Sequence, residues 1–309
     1  MLIMVFWIIF FEISNLLFFI GFLIFLIVKK EYRQISTLLL GALFGVTLEF
    51  VNVAVFPIYH YSTGFLIQVG GANNIPIVIG LAWGMLLTSA REVTRNYTLP
   101  KAVKALFEAI FVVSVDLFLD VVAVRLDDGF WTWNTIALTS EINIVSIIGI
   151  PWGNYFGWFC VIFYSSLVLN FIDQRFPQDS FKVLFLRTIG GLIIAEILLF
   201  LSLLLGLVGH LIFVDWLIFL LPYLGGIVFL IIYFIKTKTS FRAKLDSWFP
   251  WVYFCFSYLF CFITMITLGL VSEITWYFVM LCVFMIGSLF YLGWRGYVNE
   301  ERAPGKKND

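Results

Sequence analysis

Long apolar runs separated by short polar loops dominate the pattern of the sequence. A membrane-spanning helix needs about 20 consecutive, mainly apolar residues, and nine segments of the chain have this character. Their approximate bounds are 5–28, 35–56, 75–90, 105–124, 147–171, 187–208, 212–235, 249–271 and 275–293. The pattern predicts an all-α fold, a polytopic membrane helix bundle with about nine transmembrane helices.

Lysine and arginine are unevenly distributed among the loops between these segments. The first, third, fifth and seventh loops and the tail hold three, four, three, four and four basic residues, whereas the other loops together hold one, Arg125. Cytoplasmic loops carry an excess of Lys and Arg. The alternation predicts a multi-pass protein of the cell membrane with its N-terminus outside and its C-terminus cytoplasmic.

Composition agrees with this class and excludes several functions. Of the 309 residues, 62% are hydrophobic and 12% charged, whereas soluble domains are about one quarter charged. Nineteen basic and 19 acidic residues cancel, so we expect the lipid bilayer and no nucleic acid as a partner. Four cysteines without a CxxC spacing and only two histidines argue against a metal site or haem pair. We therefore expect no metal and no cofactor.

The chain divides by the density of polar residues within its apolar segments. Residues 1–172 form a polar-decorated membrane region, residues 183–296 form additional transmembrane helices with fewer polar residues, and residues 297–309 form a cytoplasmic tail. The loop DQRFPQDSFK separates the first two parts.

Three carboxylates within the apolar segments are the strongest functional candidates. Asp116 and Asp120 lie one helical turn apart in DLFLDVVAV, and Glu49 and Asn52 lie three apart on one face of the second segment. A charged side chain at the bilayer centre costs about 2.5–3.5 kcal/mol on insertion scales and by default marks a functional site. The alternative is that these acids only join neighbouring helices. We predict catalytic roles for Asp116, Asp120 and Glu49.

Polar and aromatic residues fall on the same predicted side of the membrane as the acids. The segments FPIYHYSTG, RLDDGFWTWN and GIPWGNYFGW supply most of them. Ring faces can stabilise cations, although many of these rings could instead belong to the interfacial belt. The predicted substrate-binding residues are Asn52, Tyr59, Tyr61, Trp83, Trp131, Trp133, Asn154 and Trp158.

Five segments in order carry a resemblance to a known family. FPIYHYSTG, NIPIVIGLAW, DLFLD, FWTW and GIPWGNYFGW resemble the carotenoid biosynthesis membrane protein family, which includes the carotenoid 1,2-hydratases of bacteria and the bisanhydrobacterioruberin hydratase of haloarchaea. The resemblance covers roughly residues 40–172. It departs from the family where DLFLDV replaces DLxLDP and where NVAVFPIYHY replaces a glycine-rich TGxPFGxYxY segment.

The resemblance implies hydration of a terminal carbon–carbon double bond in an acyclic carotenoid or related polyisoprenoid. In that chemistry one aspartate of the Asp116/Asp120 pair would protonate the alkene while the other stays charged. The rings of Tyr61, Trp131, Trp133 and Trp158 would stabilise the tertiary cation. Glu49 or the ionised aspartate would accept a proton from the attacking water. Other carotenoid-pathway membrane enzymes are then possible partners.

Two other functions stay open on the sequence alone. A polytopic prenyltransferase could use an Asp-x-x-x-Asp pair to hold magnesium and a diphosphate, but a second aspartate-rich motif is missing. A non-enzymatic lipid or carotenoid carrier, or a proton-coupled transporter, could use the acids as a relay. The two halves of the chain do not correspond as the inverted repeats of many transporters do.

Overall fold

The computed structural model describes residues 6–126, 129–134, 136–211, 214–238 and 245–300. Its framework consists of nine long helices and two short ones, α6 and α10, among the described residues, numbered here in chain order. They are α1 (Phe6–Lys29), α2 (Tyr32–Phe50), α3 (Ile77–Thr94), α4 (Lys101–Ala123), α5 (Trp152–Arg175), α6 (Phe181–Phe185), α7 (Gly191–Leu211), α8 (Asp215–Thr237), α9 (Phe249–Thr267), α10 (Leu270–Glu273) and α11 (Thr275–Glu300). A π-helical turn extends α2 over Val51–Val55, and another, Leu186–Gly190, joins α6 to α7.

Eight helical segments in the described residues are long and apolar enough to cross a membrane. The remaining predicted span, 105–124, corresponds to α4, which has 23 residues and is therefore long enough, but carries Asp116, Asp120 and Glu108 along its length. The prediction of a polytopic all-α membrane bundle is confirmed. The orientation of the two termini stays a prediction, and residues 301–309 of the proposed tail lie outside the described residues.

Short antiparallel strand pairs lie in the loops between the helices. Their strands are β1 (Tyr59–Tyr61), β2 (Gln68–Val69), β3 (Ile75–Pro76), β4 (Trp131–Trp133), β5 (Ser146–Ile147) and β6 (Ile150–Pro151). β1 pairs with β4, β2 with β3, and β5 with β6. The β1–β4 pair joins the loop after α2 to the loop after α4, so it ties two distant parts of the chain together at one end of the bundle.

Helix α4 occupies the interior of the bundle. It packs against α3, α5, α8 and α9, and most of its residues from Val112 to Ala123 are buried. The outer helices instead turn large apolar side chains outward, including Leu17, Leu205, Ile235 and Phe290. Charged side chains on α4 therefore face protein, and the apolar surface of the outer helices suits contact with lipid.

Helices α2 and α3 approach each other closely through glycines. Gly41 and Gly45 on α2 meet Gly80 and Gly84 on α3, and a Cβ atom built on Gly84 would lie 2.5 Å from the carbonyl oxygen of Leu38. Small residues four apart allow such close contact between membrane helices. This packing fixes the relative positions of Glu49, which follows Gly45 by one turn, and Trp83, which precedes Gly84.

We expect Gly84→Ala to destabilise the protein by about 1–3 kcal/mol, because the added methyl group collides with helix backbone. The measurement is the unfolding of purified protein by sodium dodecyl sulfate, followed by circular dichroism. Gly225→Ala on α8 is the matched control, because a Cβ there meets nothing within 4 Å. Equal stability of the two variants would contradict the close packing of α2 against α3.

Candidate functional site

The two aspartates of α4 are both buried, with exposed fractions of 0% for Asp116 and 1% for Asp120. Asn154, in the first turn of α5, donates a hydrogen bond to Oδ2 of Asp120. In the described part of the chain, no donor reaches Oδ1 of Asp120 or either carboxylate oxygen of Asp116. The carboxyl groups are close enough to share a hydrogen bond when one is protonated. The two aspartates therefore form a pair of adjacent acids in the protein interior.

Aromatic residues enclose Asp116 on the side of the bundle formed by later helices. Three buried tyrosines from α5, α8 and α11 interact electrostatically with this aspartate, namely Tyr155, Tyr223 and Tyr277. The Tyr277 hydroxyl donates a hydrogen bond to the carbonyl oxygen of Leu117, the residue that follows Asp116. Asp116 is thus buried among residues of the later helices, away from solvent.

Glu49, in the last turn of α2, is the third buried carboxylate. The hydroxyl groups of Tyr59 and Tyr61 both donate to its Oε2 atom, Tyr61 at 2.7 Å. The Trp83 indole lies next to the same carboxylate. Burial, together with the nearby Glu49 carboxylate, raises the pKa of both phenols well above the usual value. The two tyrosines therefore stay protonated and act as donors to Glu49.

The strand pair β1–β4 aligns four aromatic rings beside Glu49. Its register places Tyr59 opposite Trp133 and Tyr61 opposite Trp131. The ring centroids of Tyr59 and Trp133 are 5.0 Å apart, and those of Tyr61 and Trp131 are 6.0 Å apart. Because alternate residues of a strand point to the same face, all four rings lie on one side of the pair.

A cavity of about 50 Å³ lies between these groups. Across it, Glu49 and Asp120 interact electrostatically. The rings of Trp83 and Trp158, whose centroids are 4.0 Å apart, form part of its lining. A water molecule needs about 10–15 Å³ measured in this way, so the cavity has room for a few water molecules between two carboxylates and several ring faces.

Nine of the eleven residues predicted for the site line this cavity. They are Glu49, Tyr59, Tyr61, Trp83, Asp120, Trp131, Trp133, Asn154 and Trp158. The other two, Asp116 and Asn52, do not line it. Asp116 lies next to Asp120, which does line the cavity. The Asn52 amide donates to the Tyr59 hydroxyl at 3.4 Å.

Helices α1 and α9 supply lining residues that the sequence did not indicate. Tyr253 on α9 donates to the Asn15 side-chain oxygen at 3.0 Å, and the Asn15 amide donates to the Phe11 carbonyl oxygen at 2.8 Å. The remaining unpredicted lining includes Phe130, Phe256, Ser257 and Phe260. The available signal was the spacing of Glu12 and Asn15, three apart on one face of an otherwise apolar helix.

Glu12 anchors the loop that follows β1. Its two carboxylate oxygens accept backbone hydrogen bonds from Leu66 at 2.6 Å and Ile67 at 2.8 Å. Glu12 is 2% exposed, so α1 holds this loop from inside the protein. Asp127 and Asp128 lie outside the described residues. In the described part of the chain, no group of three or more His, Cys, Asp or Glu side chains could hold a metal ion.

Fold and site together define a multi-pass membrane protein with a buried, acidic and aromatic cavity at one end of its helix bundle. The family model described as carotenoid biosynthesis protein matches residues 8–221, which is more than half of the chain. The chain belongs to this family and has a role in carotenoid biosynthesis. The match extends beyond the resemblance at residues 40–172, yet α9, which also lines the cavity, lies outside it.

No curated protein matches the chain in a sequence search. No solved structure matches it either.

We expect Glu12→Gln to loosen the loop at residues 62–69. The amide replaces one carboxylate oxygen with an N–H donor that faces a backbone N–H. Loss of a hydrogen bond to a charged acceptor lowers the stability of the contact by about 1.5–3 kcal/mol. Hydrogen–deuterium exchange of the purified protein measures the effect as faster exchange in residues 62–69. Glu196→Gln is the control, because Glu196 accepts from Thr47 elsewhere in the bundle. Unchanged exchange in the Glu12 variant would refute the anchoring role.

Proposed function

We propose that the protein hydrates a terminal carbon–carbon double bond of an acyclic carotenoid or related polyisoprenoid. Membership of the carotenoid biosynthesis family supports the substrate class. One observation carries the proposed chemistry, namely that Asp120 has an oxygen without a donor on the wall of an aromatic cavity, with Glu49 on the same cavity. Hydration needs both an acid that protonates carbon and a base that deprotonates water.

Protonation is the first step, and Asp120 is the proposed acid because it lines the cavity. The neutral carboxylic acid gives its proton to the less substituted alkene carbon. The π electrons form the new carbon–hydrogen bond, and the other carbon becomes a tertiary cation. Burial disfavours the charged form of a carboxyl group, and Asp116 next to Asp120 is a second acid that disfavours two adjacent negative charges. The pair therefore suits one shared proton.

The aromatic lining stabilises the cation. Indole and phenol rings attract a cation over their faces, with energies of about 0.5–2 kcal/mol per ring according to desolvation. Trp131 and Trp133 from β4, Trp158 from α5 and Tyr61 from β1 are the proposed rings.

Water completes the reaction with Glu49 as the proposed base. An oxygen lone pair forms the new carbon–oxygen bond, and the proton that the water loses passes to Glu49. The Tyr59 and Tyr61 hydroxyls hold this carboxylate in place. Transfer of the proton from Glu49 to Asp120, within the same cavity, restores the starting state. The sum of the steps adds one water molecule to the alkene, with no change of redox state in the protein.

Substrate entry requires the cavity to widen. A cavity of about 150 Å³ accepts a benzene ring, whereas this cavity is about 50 Å³. Trp131 and Trp158 are only partly buried, so they are the lining rings most able to move. The long apolar remainder of a polyisoprenoid needs no polar contact and suits the spaces between helices or the bilayer.

We expect Asp120→Asn to abolish hydration, because the amide cannot donate a proton to carbon. General acid catalysis contributes about 10²–10⁴-fold to rate, so the product should fall by at least that factor. The protein is expressed in a host that accumulates acyclic carotenoids. The extracted pigments are separated by chromatography, and their molecular masses are measured by mass spectrometry. The product is heavier than its precursor by one water.

The matched control is Glu141→Gln, which alters an exposed acid in the loop before α5 and should leave the product unchanged. Asp116→Asn distinguishes the role of Asp116 from that of Asp120, because it leaves the cavity lining unchanged and removes only the second acid. A fully active Asp120→Asn variant would rule out the proposed acid. A wild-type protein that is folded and membrane-inserted but leaves pigments unchanged would contradict hydration of those carotenoids.

We expect ring character at Trp131 to matter more than its size. Trp131→Phe keeps a ring face and should retain most of the turnover, whereas Trp131→Leu should lower it by about tenfold through loss of cation stabilisation. Initial rates on purified protein measure both variants. Equal rates for Phe and Leu would show that the ring only fills space.

A further inference from the structure

A second, larger cavity lies at the opposite end of α4 from the candidate site. Its volume is about 550 Å³, and its lining is mainly polar, drawn from the α1–α2 turn and from α2, α3, α4, α5 and the start of the α6–α7 segment. Lys101, the first residue of α4, lines it. Asp120 lies 19 residues later, which corresponds to about 28 Å along a helix axis. The two cavities are separate sites.

Arginines already neutralise the carboxylates of this polar cavity. Asp173 accepts from Arg33 at 2.7 Å, from Arg91 at 3.2 Å and from Arg187. Asp179 accepts from Arg33 at 2.5 Å. Arg187 is 1% exposed, so a guanidinium group lies deep in the wall of the cavity.

The two remaining acids are also paired. Glu31 accepts from Arg95 at 3.0 Å. Glu108 accepts from the Thr94 hydroxyl and lies 3.9 Å from Arg91. Each of the four carboxylates on the cavity therefore has an arginine partner, whereas among the described residues no lysine of the lining forms an ion pair.

Two of these lysines, Lys101 and Lys104, belong to α4, and the third, Lys30, is exposed in the α1–α2 turn. Lys101 and Lys104 lie three apart on one face at the start of α4, and both are partly buried. Among the described residues, neither has a carboxylate within ion-pair distance, and the Glu108 carboxylate, four residues after Lys104, attracts Lys104 only from further away.

The Lys104 ammonium donates to the carbonyl oxygen of Arg95 at 3.3 Å, and the Lys101 ammonium lies 3.9 Å from the centroid of the Phe171 ring. Each keeps donor capacity that these contacts leave unused.

We propose that this polar cavity binds a phosphate group through Lys101 and Lys104. Phosphate oxygens accept charge-assisted hydrogen bonds from ammonium groups, and partly buried ammonium groups outside ion-pair distance of a carboxylate favour an anion beside them. The positive end of the α4 helix dipole lies next to the lysines and acts in the same direction.

The phosphate can belong to a soluble anion or to the headgroup of a membrane lipid, and the chemistry of recognition is the same. Full-length protein in detergent is titrated with inorganic phosphate at constant ionic strength set with chloride, and the thermal unfolding midpoint is followed. In a second arm, native mass spectrometry compares retention of phosphatidylglycerol with retention of a galactolipid that lacks phosphate.

The test variant is Lys101→Gln combined with Lys104→Gln, and the control is Lys182→Gln combined with Lys236→Gln, two exposed lysines outside the cavity. We expect phosphate, phosphatidylglycerol or both to bind wild type and control, and binding to the test variant to weaken by about tenfold or more. Binding by phosphate identifies a soluble anion as a ligand, and binding by phosphatidylglycerol alone identifies a lipid headgroup.

Protection of lysines in the wild-type protein gives a readout that does not depend on folding of the variant. Bound phosphate or phosphatidylglycerol should slow acylation of Lys101 and Lys104 by an amine-reactive reagent, with Lys182 and Lys236 unaffected. Three results would overturn the proposal. Ligand binding could weaken equally in the test and control variants, or neither phosphate nor phosphatidylglycerol could bind the wild-type protein. The ligand could also leave the acylation rates of all four lysines equally unaffected.

Discussion

The burial of carboxylates inside a membrane protein is the constraint on which the rest of this structure depends. An acid in hydrocarbon must be paired, protonated or held against donors. The chain meets this requirement in a different way for each acid. Glu12 accepts two backbone N–H groups, Glu49 accepts two tyrosine hydroxyls, and Asp120 accepts an asparagine amide. Asp116 alone has no donor in the described part of the chain.

These requirements explain the architecture around the candidate site. Helix α4 lies in the interior because its acids need protein neighbours on every side. The loops after α2 and α4 pair as β1 and β4, since this pairing aims tyrosine hydroxyls at Glu49 and closes the cavity with tryptophan rings. The glycine contact between α2 and α3 sets Glu49 beside Trp83. Helix packing, strand pairing and the position of the acids are therefore parts of one arrangement.

The sequence was sufficient for the helix bundle and for most of the candidate cavity. Apolar length predicts each long helix, because the bilayer fixes the length of a span. The lining by Glu49, Asp120 and Trp133 follows from acids and aromatics that share one predicted side of the membrane. The β1–β4 pair was missed because strands of three residues leave almost no periodic signal. Asn15 and Tyr253 were missed because single polar residues on apolar helices do not reveal which helices meet.

The central claim is that a buried carboxyl group protonates an alkene and that water supplies the new oxygen. Isotope labelling of the reaction tests it most directly, with purified protein and an acyclic carotenoid in ¹⁸O-enriched, deuterated water. The account predicts a product with one ¹⁸O atom and one carbon-bound deuterium at the hydrated end. A hydroxyl oxygen derived from dioxygen, or an ¹⁸O-labelled product without carbon-bound deuterium, would contradict it.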